Sequence, residues 1–341
     1  MKTLQIAGSI DDLFSHMALL GLSSILEDAK IGPIKLWWDD DEKPNIQIPD
    51  TVDIMGISSI VRLHAESRSL DDSWIKETFT IQQDRKQSTI SLLGPRTASP
   101  VTSRDWEALE SKREASLDKI PNHIDLRLIQ GLGYRSWWHR VGNTTRADAG
   151  SNIWEMRTRN RGTEFLPDRL LPVAKVIADR TDEEIASGLQ GLTTVDEHGG
   201  NAVDSRTPTG FSLPRPVDNA LAWCALWGLS FAPVPFKWDP SRSYPAYLPK
   251  DSVKAGKEQH QLLMPVVNTP VFPARMRTLL RSQQLIAVAD DRPKTAPVDQ
   301  QVAWQWLQDH GVAAVIRFPV RYVGSTSAPE RQALSGQRVR P

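Results

Sequence analysis

One apolar run limits the folds open to this chain more than any other feature. Residues 219–229, NALAWCALWGL, carry no charged side chain on any face of a helix. A helix that is apolar all round is buried on every side, so the rest of the chain must pack around it. The only cysteine, Cys224, lies inside this run. A single cysteine excludes a disulfide framework within the chain. Its apolar surroundings predict a protonated, unreactive thiol in the core.

A six-residue pattern occurs twice, as ALLGLS at Ala18–Ser23 and as ALWGLS at Ala225–Ser230. A glycine inside a helix costs about 1 kcal/mol relative to alanine, so Gly21 and Gly228 each need a reason. Close backbone packing or helix termination at glycine supplies one. We interpret the pair as two unrelated buried helices rather than an internal duplication, each lying at the heart of its own region.

The N-terminal part of the chain predicts mixed sheet and helix. Strands are expected at TLQIAG, IKLWW and IQI, and a helix that Ser9 can cap is expected between the first two. The stretch WIKETFTIQQDRKQSTISLL is typical of a hairpin. The following stretch, SRDWEALESKREASLDKI, is charged on nearly every face and indicates a solvent-facing helix or linker. We therefore place a domain boundary near residue 120.

The second part of the chain predicts mainly helices. Helical patterns occur in LLPVAKVIADR, in the apolar run and in VDQQVAWQWLQDHG, and Gly311 ends the last of these. The stretch AVIRFPVRYV has the pattern of a strand. The sequence thus predicts an α+β fold with a mixed region at 1–120 and a mainly helical region with a late β-strand at 121–325. The polar residues 326–341 are expected to form a flexible tail.

The charges are balanced overall and polarised along the chain. Forty-one Lys and Arg face 41 Asp and Glu; residues 1–126 hold 14 basic and 21 acidic side chains, which leaves 27 and 20 for the remainder. Zero net charge is unusual for a protein that must hold nucleic acid alone, because Lys and Arg neutralise the phosphates. A chain with one acidic and one basic half suits a subunit of a larger assembly.

Enzyme motifs are missing from the sequence. It has neither the glycine-rich phosphate loop nor the serine nucleophile elbow, and the seven histidines lack metal-ligand spacing. We predict no enzyme activity, no cofactor and no metal. Two metal alternatives stay open: Asp39–Glu42 could gather a cation as part of a metal-dependent nuclease, and Asp196 with His198 could share an ion. A solvated acidic loop is our preferred interpretation of Asp39–Glu42.

Residues 127–162 form the most basic and aromatic stretch, with seven Arg against two acidic residues. Arg157, Arg159 and Arg161 alternate, so an extended backbone would point all three to one side, as phosphate contacts require. Asparagine amides can read base edges, and Trp137, Trp138 and Trp154 can stack on unpaired bases, unless the tryptophans fill a core. The candidate nucleic-acid contacts are Arg135, Arg140, Asn143, Arg146, Arg157, Arg159, Asn160, Arg161 and, on the late strand, Arg317 and Arg321.

Five segments together carry a family resemblance. In order these are GLSSILED with LWW, YRSWWHR, GSNIWEMRTRNRGTEF, the loop DSRTPTGFS, and NALAWCALWGLSFAPV. Over residues 10–235 the order of these segments resembles that in the large subunits of type I-G (formerly I-U) CRISPR systems, which are small for large-subunit proteins.

The resemblance implies a non-catalytic role in a crRNA-guided surveillance complex. Such a subunit contacts the PAM duplex and the displaced DNA strand and presents a surface to the helicase-nuclease, while guide pairing reads the sequence. The expected partners are crRNA, target DNA, other effector subunits and the helicase-nuclease. An RNA-binding, backbone-type subunit of a ribonucleoprotein is a further alternative. No signal peptide or membrane-spanning run is evident, so we expect a cytoplasmic protein without a membrane partner.

Overall fold

The computed structural model describes residues 1–83, 86–95, 100, 102–133, 140–141, 144–145, 151–156, 164–205, 209–235, 241–249, 258–290, 297–325 and 328–339. The α-helices within these ranges are α1 (Leu13–Asp28), α2 (Ile54–Ser69), α3 (Ser103–Leu117), α4 (His123–Leu132), α5 (Leu171–Asp179), α6 (Asp182–Gln190), α7 (Asn219–Trp227), α8 (Pro273–Leu280), α9 (Gln283–Ala289) and α10 (Pro297–Asp309). The strands are β1 (Lys2–Gln5), β2 (Lys35–Trp38), β3 (Pro44–Ile48), β4 (Thr78–Gln83), β5 (Lys86–Ser91), β6 (Arg140–Val141), β7 (Thr144–Thr145), β8 (Tyr247–Pro249), β9 (Glu258–Val267), β10 (Val312–Ser325), β11 (Ala328–Ala333) and β12 (Gln337–Arg338). Helices combined with antiparallel sheets confirm the predicted α+β class.

The apolar run forms α7, and α7 packs against α1 through two glycines. A Cβ atom on Gly21 would lie 1.8 Å from the carbonyl oxygen of Cys224, and one on Gly228 would lie 2.4 Å from the carbonyl oxygen of Met17. The hydroxyls of Ser24 and Ser230 are 2.9 Å apart across the same junction. Only glycine lets the two backbones approach this closely.

The repeated pattern therefore forms a single contact. We expected each copy to lie at the heart of a separate region, and this expectation is wrong because the two copies pack on each other. Gly21 lies inside α1, and Gly228 follows the last residue of α7 and begins a short 3-10 turn, Gly228–Phe231. Close backbone packing explains both glycines.

The N-terminal strands form an antiparallel sheet in the order β1-β3-β2. The central strand pairs Ile46 with Leu4 on one side and with Leu36 on the other. Leu36, Trp38, Ile46 and Ile48 are buried, so this face of the sheet joins the core under α1. These strands agree with the sequence prediction. The predicted hairpin is β4 paired with β5.

A second, five-stranded sheet replaces the single late strand that we expected. Strand β10 is its long central member, with β9 and β11 on either side, β8 beyond β9, and β12 also paired to β10. Phe318 pairs with Leu262 and Ile316 with Met264, and all four side chains are buried. The sequence indicated β10 alone because β9 carries polar residues at its start and Pro265 in its interior.

The predicted flexible tail over 326–341 is also wrong for its described residues. Strand β11 pairs with β10 from Val320 opposite Ala333 to Ser325 opposite Ala328. The backbone N–H of Gly336 donates to the carbonyl of Asp11 at 2.8 Å. Polar composition misled the prediction, because Glu330 and Gln332 are buried in spite of their polarity.

Helices on both sides of residue 120 share one core. His64 of α2 lies edge-on to Trp223 and Trp227 of α7, with ring centroids 5.5 and 4.5 Å apart. A Cβ atom on Gly131 of α4 would lie 2.0 Å from the carbonyl oxygen of Leu229. Residue 120 lies between α3 and α4, and elements before and after it pack against each other. A boundary between two folding units at this position stays a prediction.

Side-chain caps fix where several helices begin. Asp12, not the expected Ser9, caps α1 by accepting a hydrogen bond from Phe14 N at 3.3 Å. Thr181 and Glu184 form a reciprocal capping box at α6. Asp218 caps α7 by accepting from Ala220 N at 2.8 Å. At the other end of a helix, Gly311 follows α10 with φ +84°, which confirms glycine termination there.

We expect Gly21→Ala to lower the free energy of unfolding by about 3 kcal/mol, because the new methyl group forces α1 away from α7. Gly228→Ala should act similarly. Gly56→Ala is the matched control, since its Cβ would meet side chains and no backbone atom, namely Val52 at 3.0 Å and Asp53 at 3.6 Å. Denaturant unfolding measures all three variants. A decrease below about 0.5 kcal/mol in both core variants would contradict this packing.

Candidate nucleic-acid interface

Most of the candidate nucleic-acid contacts fall outside the described residues. This holds for Arg135, Asn143, Arg146, Arg157, Arg159, Asn160 and Arg161. The backbone of Arg140 is described, in β6 paired antiparallel to β7. Arg317 and Arg321 lie on β10. Their binding roles stay predictions, and the structure describes the residues on either side of 157–163.

Arg317 and Arg321 are half-buried on the β10 face opposite Phe318. The Nη2 atom of Arg317 donates to the carbonyl oxygen of Ala289 at 2.8 Å. Ala289 is the last residue of α9, where unpaired carbonyls attract a cation. Arg317 therefore has a structural contact at a helix end. Arg321 pairs through its backbone with Gln332 of β11.

A buried cluster of charged side chains includes Glu155, two residues before position 157. Glu155 is fully buried; its carboxylate lies 2.8 Å from Nη1 of Arg169 and 3.6 Å from Nη2 of Arg331. Nη2 of Arg331 also donates to the carbonyl of Glu155 at 2.8 Å. We call Glu155, Arg169 and Arg331 the anchor cluster. It joins residues 151–156 to a π-helical turn at Leu166–Leu170 and to β11.

The residue just after the described gap, Glu164, is held as well. Its side chain accepts from the backbone N–H of Ser91 at 3.1 Å, and its own N–H donates to Asp168 at 2.8 Å. Burial raises the pKa of Glu164 to about 7, the nearby Asp168 charge adds to the rise, and the Ser91 hydrogen bond opposes it. This carboxyl group therefore titrates near neutral pH.

The chain before and the chain after the gap between Met156 and Glu164 are joined by a hydrogen bond. Nη1 of Arg169, five residues after Glu164, donates to the carbonyl oxygen of Met156. The flanks are thus tied together by buried charges. We call residues 157–161, RTRNR, the arginine segment. A segment attached at both ends to a packed scaffold is the arrangement in which proteins present binding residues.

Trp154 does not serve as a stacking platform for bases. It is 2% exposed and belongs to the core. The adjacent Asn152 side chain donates to the carbonyl of Pro233 at 3.0 Å and fixes this turn beside α7. The alternative that this tryptophan fills a core is confirmed, whereas Trp137 and Trp138 lie outside the described residues.

The acidic cluster at Asp39–Glu42 is a strand connection. Asp39 accepts hydrogen bonds from Lys43 N at 2.9 Å, Asn45 Nδ2 at 2.8 Å and Gln5 Nε2 at 3.1 Å. These donors stabilise the carboxylate and lower its pKa. The carboxylate closes the turn between β2 and β3, which favours the solvated-loop interpretation over a cation site.

Asp196 and His198 belong to a polar network at the start of α7. Asp196 accepts from Gly199 N at 2.8 Å and from Asn219 Nδ2 at 3.0 Å, and Asn219 accepts from His198 N at 2.9 Å. Nearby, Arg180 donates to Asp218. Across the part of the chain that the structure describes, no three His, Cys, Asp or Glu side chains are grouped as metal ligands. Sequence patterns did not indicate Arg180, because its partners lie far along the chain.

Comparison with known proteins adds no relative: neither protein-family models nor curated proteins match this chain.

Cys224 is buried, and burial raises the pKa of its thiol, as expected for a core cysteine. Among the described helices, none has the length and apolarity needed to cross a membrane.

We expect Glu155→Gln to lower the free energy of unfolding by about 3 kcal/mol, because it leaves two buried guanidinium groups without their counter-charge. Asp71→Asn is the control, since it removes a solvent-exposed ion pair with Lys76 and should leave stability unchanged. Urea unfolding at neutral pH measures both. Equal stability of the two variants would show that the anchor cluster does not hold the scaffold.

Glu164→Gln should change stability in a pH-dependent way. With a folded pKa of about 7 against an ordinary value of 4.5, the folded chain binds a proton that the unfolded chain releases between these values. The stability that this proton contributes is fully present below pH 4.5 and is lost as the pH rises through 7. Glutamine mimics the protonated form, so the variant should match the natural chain at pH 4 and melt at a higher temperature at pH 8. A pH-independent difference in Tm would contradict this.

Proposed function

We propose that this chain is the non-catalytic large subunit of a crRNA-guided CRISPR surveillance complex. In this role it contacts the PAM duplex and the displaced strand, and it presents a surface to the helicase-nuclease. Its other partners are crRNA and the remaining effector subunits, and the complex acts in the cytoplasm. The proposal assigns no cofactor, metal or bond-breaking step to this chain.

The buried contacts of the residues on either side of the arginine segment are the observation that supports this proposal. The anchor cluster fixes Glu155 and Met156 before the segment, and Glu164 with Asp168 fixes the residue after it. A run of alternating arginines held this way is suited to contact successive phosphates, because rigid flanks reduce the entropy lost on binding.

The charge distribution also supports a subunit role. A chain with zero net charge depends on neighbouring subunits for the rest of a positive channel. The acidic excess in residues 1–126 and the basic excess beyond them fit one surface for protein partners and another for nucleic acid.

The arginine segment can be tested in the complex assembled with its guide RNA and partner subunits. Replacing Arg157, Arg159 and Arg161 together with Ala should weaken binding to PAM-bearing target DNA. The slope of log affinity against log salt should flatten by up to about three units, since each phosphate that an arginine neutralises contributes about 0.9 to it. Electrophoretic or anisotropy titrations at salt concentrations between roughly 50 and 300 mM measure this slope.

A control with the same charge change replaces Lys2, Arg104 and Lys119, which are exposed elsewhere. It should leave the slope unchanged. If the arginine-segment variant unfolds, or binds with the slope of the natural chain, the replaced arginines are structural. Either result would contradict the proposal.

Asn160→Ala separates base reading from phosphate binding in the same assay. Removing a base-edge hydrogen bond costs roughly 1–3 kcal/mol and falls on the preferred PAM, with little change in salt dependence. A complex that prefers single-stranded RNA to PAM duplex would instead favour the RNA-binding alternative. Divalent-dependent cleavage by the purified chain would favour the nuclease alternative.

A further inference from the structure

Three arginines outside residues 134–163 converge at the C-terminal end of α1. Arg127 comes from α4, Arg277 from α8, and Arg281 is the residue that follows α8. Glu27, in the last turn of α1, accepts a hydrogen bond from Nη2 of Arg277, and its Oε2 lies 3.9 Å from Nη2 of Arg127. We call Arg127, Arg277 and Arg281 the arginine cluster.

Packing holds the middle member of the cluster in place. The guanidinium carbon of Arg277 lies 4.5 Å from the centre of the Phe231 ring, and the side chain is 14% exposed. Such a cation over an aromatic face is favourable and restricts the side chain. Nη1 of Arg281 donates to the backbone carbonyl of Arg277 at 3.2 Å, and the charge of Arg277 acts on the Arg281 guanidinium.

The negative charge near the cluster does not balance it. Glu27 is shared by Arg127 and Arg277, while the adjacent Asp28 lies 3.4 Å from Arg68, another arginine. Burial lowers the pKa of Arg127 and of Arg281, and the charge of Arg277 lowers both further. The charges of Glu27 and Asp28 both raise the pKa of Arg127, but Asp28 is also paired with Arg68, so the three neighbouring guanidinium groups exceed the negative charge beside them.

Hydrogen-bonding capacity is also unused at this position. The Nε atoms of Arg127 and Arg277 are buried and have no hydrogen-bond partner among the described residues. A phosphate group offers several acceptor oxygens and up to two negative charges, and arginine binds it through paired N–H groups. An uncharged ligand would leave the excess charge in place.

From this convergence we infer that the arginine cluster is a phosphate-binding site, distinct from the arginine segment. The phosphate belongs either to a nucleic-acid backbone or to a free phosphate or nucleotide. This inference does not depend on the proposed CRISPR role, because it concerns a site on the chain itself.

The test uses the full-length chain with Arg127→Gln and Arg281→Gln combined, leaving Arg277 because it packs on Phe231. Binding of a labelled single-stranded DNA of about 20 nucleotides, a length on the order of a single-strand binding site, is measured as a function of salt. The slope of log affinity against log salt should flatten by about 0.7 for each phosphate that the variant no longer neutralises. Arg104→Gln combined with Lys119→Gln removes the same charge from exposed positions and should leave the slope unchanged.

Inorganic phosphate provides the second arm. At constant ionic strength it should raise the Tm of the natural chain above that in chloride, and the rise should be smaller in the Arg127→Gln, Arg281→Gln variant, which keeps only the general stabilisation that phosphate gives any folded protein. A changed salt slope assigns the site to a nucleic-acid backbone, whereas a reduced Tm rise alone assigns it to a free phosphate or nucleotide. Absence of both effects would overturn the inference.

Two further comparisons separate the cluster from folding defects and from the arginine segment. Arg281→Gln alone changes one residue beyond the last residue of α8, so it tests the site even if the double variant fails to fold. Repeating the titration in the background of the Arg157, Arg159 and Arg161 replacements separates the two surfaces. A DNA-binding defect confined to the arginine-segment variant, together with a phosphate-dependent Tm rise that the cluster variant does not change, overturns the cluster and leaves the proposed function. A defect confined to the cluster variant does the reverse.

Discussion

The backbone contact between α1 and α7 is the constraint on which the other elements depend. Gly21 and Gly228 bring carbonyl groups of the partner helix to positions that a methyl group would occupy. The α7 helix, apolar on every face, then needs cover on its remaining sides. His64 of α2 covers its tryptophans, and α4 reaches the turn after it through Gly131. His16 links α1 to both sheets, lying 4.5 Å from Trp38 and 5.4 Å from Phe318, ring centre to ring centre.

Sequence reasoning reached the parts of this fold that depend on local patterns. The apolar run, the helix carrying Gly21, the strands of the first sheet and the stop at Gly311 follow from periodicity and glycine chemistry. Features that depend on distant partners were missed. Strand β11 has buried polar residues, and one of them, Arg331, is placed by Glu155, far away in sequence. Likewise, the composition showed that residues 127–162 are basic, whereas the anchor cluster that flanks the arginine segment is visible only in three dimensions.

Several of the described arginines are used to hold the interior together. Arg68, Arg169, Arg180 and Arg331 are at most 8% exposed and pair with carboxylates in the interior. Buried pairs of this kind contribute less to net stability than to fixing one arrangement of the elements, since desolvation offsets much of their attraction. A count of basic residues therefore overstates the charge that is free for nucleic acid. We propose that the positive groups that bind nucleic acid or phosphate lie outside these four interior pairs, in the arginine cluster and in the arginine segment.

We propose that the helical core supports a nucleic-acid contact formed by residues 157–161. Hydrogen exchange of the assembled complex, with and without PAM-bearing target DNA, tests this claim most directly. Amides of α1 and α7 should exchange slowest in both states, because opening them requires breaking the glycine contact. Binding should slow exchange in residues 157–161 and leave α1 and α7 unchanged. Unchanged exchange in residues 157–161 on target binding, with new protection confined to other parts of the chain, would contradict the account.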